Sequence, residues 1–388
     1  MHQPPPPPRV LVADDQTDIL QALRLLLVDA GVEPELVTSV DGVRDRLSRG
    51  TFDLLLMDLN YSRDTTSGRE GLDLITEVRA RDRHLPIVVM TGWGSIDTAV
   101  EAMRRGARSF VQKPWDDPTL VEVVKREIAD GAASRRADAR LEREQEDARL
   151  IQRALLPAAL PALEGIRIAA MWNPASGFGG DCYDVIRFPP STAGAAGASE
   201  RVGITVADVV GKGLPAALLM SNLQAAVRAF ASEDATPQQV ATSVNRLLCR
   251  NIAAGKFVSF CYVVIDRARG LLTFANAGHN PPLLVRGGGE PARLRSGGMV
   301  LGVMADAAYD QLEVAVAPGD RLILYTDGII EAENADGEDY GEHRLCRVAA
   351  AHSADTPQQL LDAIFADVSS FASGRFTDDA TLIVAAID

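Results

Sequence analysis

The first third of the chain alternates short apolar runs with helical patterns, and this alternation restricts the folds open to it. Between residues 9 and 128, runs such as RVLVADD, FDLLLMDLN and LPIVVMTG are separated by segments such as ILQALRLLLVDAG and IDTAVEAMRRGA. Strand-then-helix repetition predicts a doubly wound, five-stranded parallel sheet with helices on both faces. At 388 residues the chain has room for at least one further domain.

Acidic, hydroxyl and amine side chains follow the apolar runs of this first domain. They are Asp14, Asp15, Asp58, Thr91 and Lys113. Because chemistry in such sheets collects beyond the carboxyl ends of the strands, we expect these side chains to share one rim. Crowded carboxylates repel one another unless a divalent cation lies among them. A lysine and a hydroxyl at the same rim would neutralise and hydrogen-bond a transferred phosphoryl group.

This set resembles the receiver domain of two-component response regulators. The resemblance implies that Asp58 accepts a phosphoryl group from a histidine kinase, that Thr91 and Lys113 contact that group, and that Phe110 is the switch aromatic. The Mg²⁺ ligands that it implies are Asp14, Asp15, Asp58 and the main-chain carbonyl of Asn60. The loop after Asp58, NYSRDTTSGREG, is longer than the family's usual connection.

A helical connector, residues 129–156, is expected to follow the receiver domain, residues 9–128, which a Pro-rich tail, residues 1–8, precedes. Its composition is helical apart from Gly131. Apolar positions with a 4,3 spacing, interrupted by Glu144, are Ala137, Leu141, Ala148, Ile151 and Leu155. Two interpretations stay open: a solvated helix, or a short parallel coiled coil that makes a homodimer. Pro157 and Pro161 predict the end of the helix.

Residues 157–388 combine hairpin-spaced strands with long helices. The segment SFCYVVIDRARGLLTFANAG predicts two paired strands, so we expect mainly antiparallel sheets. Thr236-Pro237 and Thr356-Pro357 each place an N-cap before a proline at the first helical position. The pattern predicts an α+β sandwich. The low-complexity stretch PPSTAGAAGASE, residues 189–200, is expected to be a mobile hairpin loop.

The stretch TVADVVGKGLPAAL, residues 205–218, ends an apolar run with Asp208 and continues with two glycines. A phosphate-binding P-loop is excluded, because Lys212 is followed by glycine and no glycine stands five residues before Gly211. We therefore expect Asp208 to be the reactive residue, with the glycines allowing the backbone to pass close to it.

Three further aspartates occupy similar positions next to apolar runs. They are Asp181 in SGFGGDCYDV, Asp327 in RLILYTDG and Asp378 in FTDDATLIV. Four converging acids would be strongly destabilised by desolvation and repulsion without a metal. Oxygen ligands favour Mg²⁺ or Mn²⁺ over zinc, and a pair of such ions ~4 Å apart can clamp the oxygens of a phosphoester.

These motifs, in this order, resemble the SpoIIE/RsbU branch of the metal-dependent PPM serine/threonine phosphatases. The resemblance implies two Mn²⁺ or Mg²⁺ ions bridged by Asp208, with the carbonyl of Val209 as a further ligand. Asp327 and Asp378 would bind one ion, and Asp181 would act on the other, directly or through water. The implied substrate is a phosphorylated serine or threonine of an anti-sigma-factor antagonist.

Several neighbouring residues leave alternatives open. Asp184 and Asp379 are candidates for supporting the metal ligands. Val210 stands where many PPM enzymes have a general-acid histidine, so His279 is either a substitute acid or a structural residue of a turn. Lys212 either touches the substrate phosphate or is an ordinary surface lysine.

Other classes of function fit less well. The motif GGDCY resembles the hairpin of diguanylate cyclases but lacks its Glu-Phe pair, and an inactive phosphatase fold acting as an adaptor would have no need of four metal acids. A net charge of −14 disfavours nucleic-acid partners. No apolar run approaches ~18 residues, so we expect no membrane span. Four cysteines without a CxxC pair suit a cytoplasmic protein.

Overall fold

A computed structural model describes residues 6–61, 69–92, 96–175, 177–188, 201–252, 255–287 and 289–388. Most of the long loop after Asp58, the segment 189–200 and residues 1–5 of the Pro-rich tail lie outside these ranges. The chain divides into two compact units, Met1–Gln145 and Glu146–Asp388.

The first unit contains a five-stranded parallel sheet in the order β2-β1-β3-β4-β5. Its strands are β1 (Arg9–Ala13), β2 (Glu33–Val37), β3 (Leu54–Asp58), β4 (Ile87–Thr91) and β5 (Ser109–Gln112). Its helices are α1 (Thr17–Asp29), α2 (Val40–Arg49), α3 (Arg69–Arg81) and α4 (Ile96–Arg104). Every residue of β3 and β4 is buried, because a hydrophobic core lies on each face of the sheet. The predicted doubly wound sheet is confirmed.

Helix α5 (Asp117–Leu155) extends over 39 residues and passes through Gly131 without interruption. A Cβ at Gly131 would lie 2.5 Å from Cγ of Pro86, so glycine lets the helix pass close to the residue that precedes β4. The helix ends before Pro157, as predicted. The boundary between the compact units falls between Gln145 and Glu146, inside the predicted linker, and Gln152 beyond it is buried.

The second unit contains two five-stranded antiparallel sheets, ordered β13-β10-β9-β8-β7 and β12-β11-β14-β15-β6. The strands of the first are β7 (Cys182–Phe188), β8 (Arg201–Val209), β9 (Val258–Asp266), β10 (Leu271–Ala277) and β13 (Leu312–Ala315). Those of the second are β6 (Ile166–Asn173), β11 (Leu283–Val285), β12 (Ala292–Arg293), β14 (Arg321–Tyr325) and β15 (Ala380–Ile387). Side chains of both sheets, such as Phe260 and Ile383, share one core.

Helices cover the outer faces of this sandwich. They are α6 (Leu214–Phe230), α7 (Pro237–Asn251), α8 (Asp327–Ile330), α9 (Glu342–Ala351) and α10 (Pro357–Phe371). Helices α6 and α7 pack on the first sheet, and α10 packs on the second. Thr236 and Thr356 cap α7 and α10 with complete capping boxes, as their sequence signatures predict. No helix within the described residues is both long and apolar enough to cross a membrane.

Candidate functional site

The carboxyl ends of the parallel strands bring the predicted receiver residues to one rim. Asp14, Asp15 and Asp58 offer carboxylate oxygens that all lie within 4.8 Å of one another. Lys113 Nζ donates to Oδ2 of Asp14 at 2.6 Å and to Oδ2 of Asp58 at 2.8 Å. Oδ1 of Asp58 accepts from the backbone N–H of Leu59 at 2.7 Å. The lysine neutralises only part of the negative charge, so the rim is suited to a divalent cation.

A cavity of about 280 Å³ opens beside this cluster. Asp58, Asn60 and Lys113 line it, and Thr91 is buried at the end of the neighbouring strand β4. Burial raises the pKa of the Asp58 carboxyl, and the hydrogen bond from Lys113 opposes that rise. Phe110 on β5 is 52% exposed.

The four acids of the second unit lie at matching ends of paired strands. Asp181 precedes β7 and Asp208 lies near the end of β8, and these strands pair with Cys182 opposite Ala207. Asp327 follows β14 and Asp378 precedes β15, and these strands pair with Tyr325 opposite Leu382. Each sheet therefore presents one pair of acids, and the contacts of Asp181 join the two sheets.

Asp181 is buried between the sheets. Its Oδ2 accepts hydrogen bonds from Oγ1 of Thr326 and from Oγ1 of Thr381, each at 2.7 Å. Its Oδ1 is also buried and has no hydrogen-bond partner within the described part of the chain. Burial and the charge of Asp208 raise the pKa of this carboxyl well above its usual range. A buried carboxylate oxygen without a partner is costly, and a bound cation would satisfy it.

Asp208 is surrounded by other acids. Burial and the charges of Asp327, Asp378, Asp379 and Glu331 raise its pKa to about 7. Within the described residues no three of the second unit's acids are as close together as the receiver cluster. What fits a divalent cation at this centre is the buried Oδ1 of Asp181, which has no partner among the described residues, together with the acids that crowd Asp208.

Glycines allow main chain to approach this centre closely. A Cβ at Gly180 would lie 2.8 Å from the carbonyl oxygen of Val209, and one at Gly328 would lie 2.0 Å from the carbonyl oxygen of Asp379. Gly211 has φ +104°, a conformation that side chains disfavour. The glycines after Asp208 thus shape the backbone around the acids.

Lys212 is tied to one of these acids. Its Nζ donates to the carbonyl of Thr377 at 2.7 Å and lies 3.2 Å from Oδ2 of Asp378. The side chain is exposed, and its ammonium group is the partner of an acid at the candidate centre. The structure therefore places it beside Asp378 rather than isolated on the surface.

His279 is enclosed in its turn, and its Nε2 is buried without a hydrogen-bond partner among the described residues. Its backbone N–H donates to Oδ1 of Asn276 at 2.7 Å, and Nδ1 lies 2.7 Å from Oγ of Ser259. Burial lowers the pKa of the imidazole to about 4. A neutral, enclosed histidine is not suited to donate a proton near neutral pH.

Asp184 and Asp379, the candidates for supporting the metal ligands, make different contacts. Asp184 is fully buried and forms a bidentate pair with Arg228 of α6, at 2.6 and 2.9 Å. Asp379 accepts from the backbone N–H groups of Ala175 and Gly180 and thereby holds the loop before Asp181. The first aspartate orients a helix, and the second orients a loop.

Four residues near the centre were missed by sequence reasoning. They are Thr326 and Thr381, which bond Asp181, Glu331, whose charge acts on Asp208, and Gln152 on α5. The threonines carried a signal, because each is close in sequence to a candidate metal acid in YTDG or DDATL. Gln152 carried none, since its partner lies in a distant loop.

Comparison with known proteins finds a family match for each of the two predicted domains. The family model "Response regulator receiver domain" matches residues 10–125, and "Stage II sporulation protein E (SpoIIE)" matches residues 198–388. The second match includes Asp208, Asp327 and Asp378 and begins after Asp181.

Individual relatives agree with these matches. The phosphoserine phosphatase RsbU of Bacillus subtilis is 28% identical over 235 residues, 60% of this chain and 67% of that protein. Protein IcfG of Synechocystis is 29% identical over 62% of this chain, which spans only 41% of IcfG. The solved SiaA-PP2C domain of Pseudomonas aeruginosa aligns with a TM-score of 0.55 and 25% identity, over 65% of this chain and 99% of that domain.

The matched ranges agree with the parallel sheet of the first unit and the antiparallel sheets of the second. The motif GGDCY lies before the SpoIIE match, and that match includes Asp208, Asp327 and Asp378, which a diguanylate cyclase would leave unexplained. Residues 10–125 are thus a response-regulator receiver domain and residues 198–388 a SpoIIE domain, so the chain joins a receiver to a protein serine/threonine phosphatase domain of the PPM type.

Proposed function

We propose that this chain is a response regulator whose output is the metal-dependent removal of phosphate from serine or threonine of a protein substrate. The observation that carries the proposal is the buried carboxylate of Asp181, which has one oxygen held by two threonines and the other without a partner among the described residues. The acids near Asp208 supply the remaining oxygen ligands that divalent cations require.

The residues would divide the work as follows. When bound, two Mn²⁺ or Mg²⁺ ions would neutralise phosphoryl charge and activate a water molecule. Asp208 would bridge them with help from the carbonyl of Val209, Asp327 and Asp378 would hold one ion, and Asp181 would act on the other. The threonine hydroxyls keep Asp181 in one orientation. Val210 and the enclosed His279 give no proton donor for the leaving oxygen, so we infer that the proton does not come from either position.

The substrate is proposed from the relatives. RsbU is named a phosphoserine phosphatase, and the SpoIIE match points to the same chemistry. We propose that the substrate here is the phosphorylated form of a small anti-sigma-factor antagonist. A phosphoproteome comparison of a wild-type strain with a strain carrying Asp208→Asn would identify the protein whose phosphate persists.

We further propose that a histidine kinase controls the output by phosphorylating Asp58, with Mg²⁺ held by Asp14, Asp15, Asp58 and the carbonyl of Asn60. Lys113 donates hydrogen bonds to the carboxylates of Asp14 and Asp58. A phosphoryl group on Asp58 would therefore compete with these carboxylates for the ammonium group of Lys113. Thr91 would contact that group, and Phe110 would change its exposure with it.

Helix α5 would also make the homodimer. Of the apolar positions with 4,3 spacing, which form the predicted coiled-coil seam, Leu141 and Ile151 are 54% and 67% exposed, whereas Leu155 packs against the core of the second unit and is not free for the seam. Apolar side chains at coiled-coil spacing favour burial against the same helix of a second protomer. We therefore propose a parallel pairing of the connector.

The central assay compares Asp208→Asn with wild type in Mn²⁺-dependent hydrolysis of a phosphoserine protein or an aryl phosphate. Loss of the bridging carboxylate should reduce the rate by about a hundredfold or more, as removal of a residue central to catalysis commonly does. Asp266→Asn is the matched control, since Asp266 lies at the opposite end of the paired strands β8 and β9. Undiminished hydrolysis by Asp208→Asn would overturn the assignment.

A further inference from the structure

The last turns of helix α5 belong to the phosphatase unit. The second compact unit begins at Glu146, and Leu155 and Leu156 pack with its core. The side-chain amide of Gln224 on α6 donates to the carbonyl of Leu155. The end of the connector is thus fixed by contacts within this unit.

Gln152 lies in these last turns of α5, and its polar side chain is buried inside the second unit. It is 3% exposed. Its Nε2 donates to the carbonyl of Gly179 at 2.6 Å, and its Oε1 accepts from the N–H of Gly179 at 3.2 Å. One amide therefore exchanges two hydrogen bonds with one residue's main chain, which restrains both the position and the rotation of that segment.

The restrained segment leads directly to Asp181. Gly180 follows Gly179, donates to Asp379, and approaches the carbonyl of Val209 too closely for any side chain. Trp172 Nε1 then donates to the carbonyl of Asp181 at 3.1 Å. Hydrogen bonds thus fix the backbone at Gly179, Gly180 and Asp181 in turn. The bonds to Gly179 come from α5.

We propose that Gln152 is a positioning residue for the phosphatase metal centre. Its amide holds Gly179 so that the unpartnered Oδ1 of Asp181 is presented to the cation. The effect of Gln152 on phosphatase activity rests on the proposed function, whereas its effect on metal affinity can be measured separately. Because α5 begins at Asp117 in the receiver unit, a movement of the helix can act on the metal centre through this side chain.

The test uses Gln152→Met in the full chain, since methionine keeps the length of the side chain but neither donates nor accepts as the amide does. The chain also carries Asp15→Asn, so that bound Mn²⁺ reports on the phosphatase unit. Residues that orient metal ligands typically contribute about 10–100-fold to metal affinity. We expect Mn²⁺ binding, followed by electron paramagnetic resonance, to weaken about tenfold or more, and hydrolysis to recover substantially at saturating Mn²⁺.

Gln224→Met is the matched control, because it removes another buried glutamine that bonds the same helix end without touching the loop to Asp181. Its Mn²⁺ affinity should stay within about twofold of the parent, against the roughly 10–100-fold range for a residue that orients a ligand. Equal weakening in both variants, or unchanged Mn²⁺ affinity in Gln152→Met, would overturn the inference. If Gln152→Met does not fold, Gln152→Leu, which has no amide to bond Gly179 and adds no charge, replaces it with the same expected weakening.

The two proposals fail in different ways. If the parent chain binds Mn²⁺ but hydrolyses no phosphoserine, the proposed function is wrong while the binding measurement still decides the role of Gln152. If the parent hydrolyses phosphoserine and Gln152→Met binds Mn²⁺ equally well, only the inference is wrong.

Discussion

At the scale of single residues, Asp208, together with the buried Asp181, makes the stability of the metal-free protein depend on pH. Burial and neighbouring acids raise the pKa of Asp208 to about 7, above the value of an unfolded aspartate. A group with a raised pKa contributes stability that is complete below the unfolded pKa and is lost as pH rises through the folded pKa. The folded protein should therefore become less stable between about pH 4 and pH 7 when metal is removed.

Replacing Asp208 by asparagine should remove much of that loss. Since each pKa unit corresponds to about 1.36 kcal/mol, the variant should be more stable than wild type in EDTA at about pH 8 by on the order of 3 kcal/mol. Urea unfolding at about pH 5 and about pH 8 measures the difference. Equal stability of the two proteins at the higher pH would show that the pKa of Asp208 is not raised in the folded protein. Added Mn²⁺ should stabilise wild type and not the variant.

His279 offers a second test at this scale. Its imidazole is neutral at physiological pH, because burial lowers its pKa to about 4. His279→Gln should therefore lower stability through loss of the contact with Ser259 while leaving the pKa values of the pH–rate profile unchanged. A profile that loses its limb near neutral pH in this variant would identify His279 as an acid or base in the reaction.

At the scale of elements, the strands and the acids next to them were predictable, and their supports were not. Asp58, Asp208 and Asp327 each end or follow an apolar run, so a local pattern marks them. Gln152 looks like any polar residue of a helix, and its partner Gly179 is 27 residues away. The burial of the end of α5 depends on tertiary packing, so the sequence could not place the boundary between Gln145 and Glu146, which falls inside the predicted linker, residues 129–156.

Helix α5 also carries the prediction on assembly. A glutamate at Leu141 or Ile151 would place charge in the proposed seam, so Leu141→Glu and Ile151→Glu should shift the protein from dimer to monomer. Gln145→Glu adds the same charge at an exposed position off the seam and should leave the dimer intact. Sedimentation velocity distinguishes the species. A monomeric wild-type chain, or a dimer unaffected by either seam variant, would contradict the coiled-coil proposal.

At the scale of the whole molecule, the proposed control requires that the state of Asp58 alters the rate of dephosphorylation. Coupling between sites typically amounts to about 5–150-fold. Treatment with a small phosphodonor or beryllofluoride should change the hydrolysis rate by about fivefold or more. The change should be absent in Asp58→Asn. A hydrolysis rate that does not change with the phosphodonor would contradict the proposed control by Asp58.

The fold of each half could be predicted from sequence, whereas control between them could not. Alternating apolar runs specify the parallel sheet, and hairpin spacing specifies the antiparallel ones. The proposed control runs through the inward-facing side chains of α5, and the burial of Gln152 and its bond to Gly179 depend on tertiary packing that no local pattern marks.

The most direct test of the central claim is a crystal structure of the Mn²⁺-loaded protein with anomalous diffraction measured near the manganese edge. We predict two anomalous peaks about 4 Å apart in the phosphatase unit. Asp208 should bridge them, and Asp181 should face one of them. Mn²⁺ bound elsewhere in this unit, or no ion at Asp208, would contradict the metal-dependent phosphatase assignment.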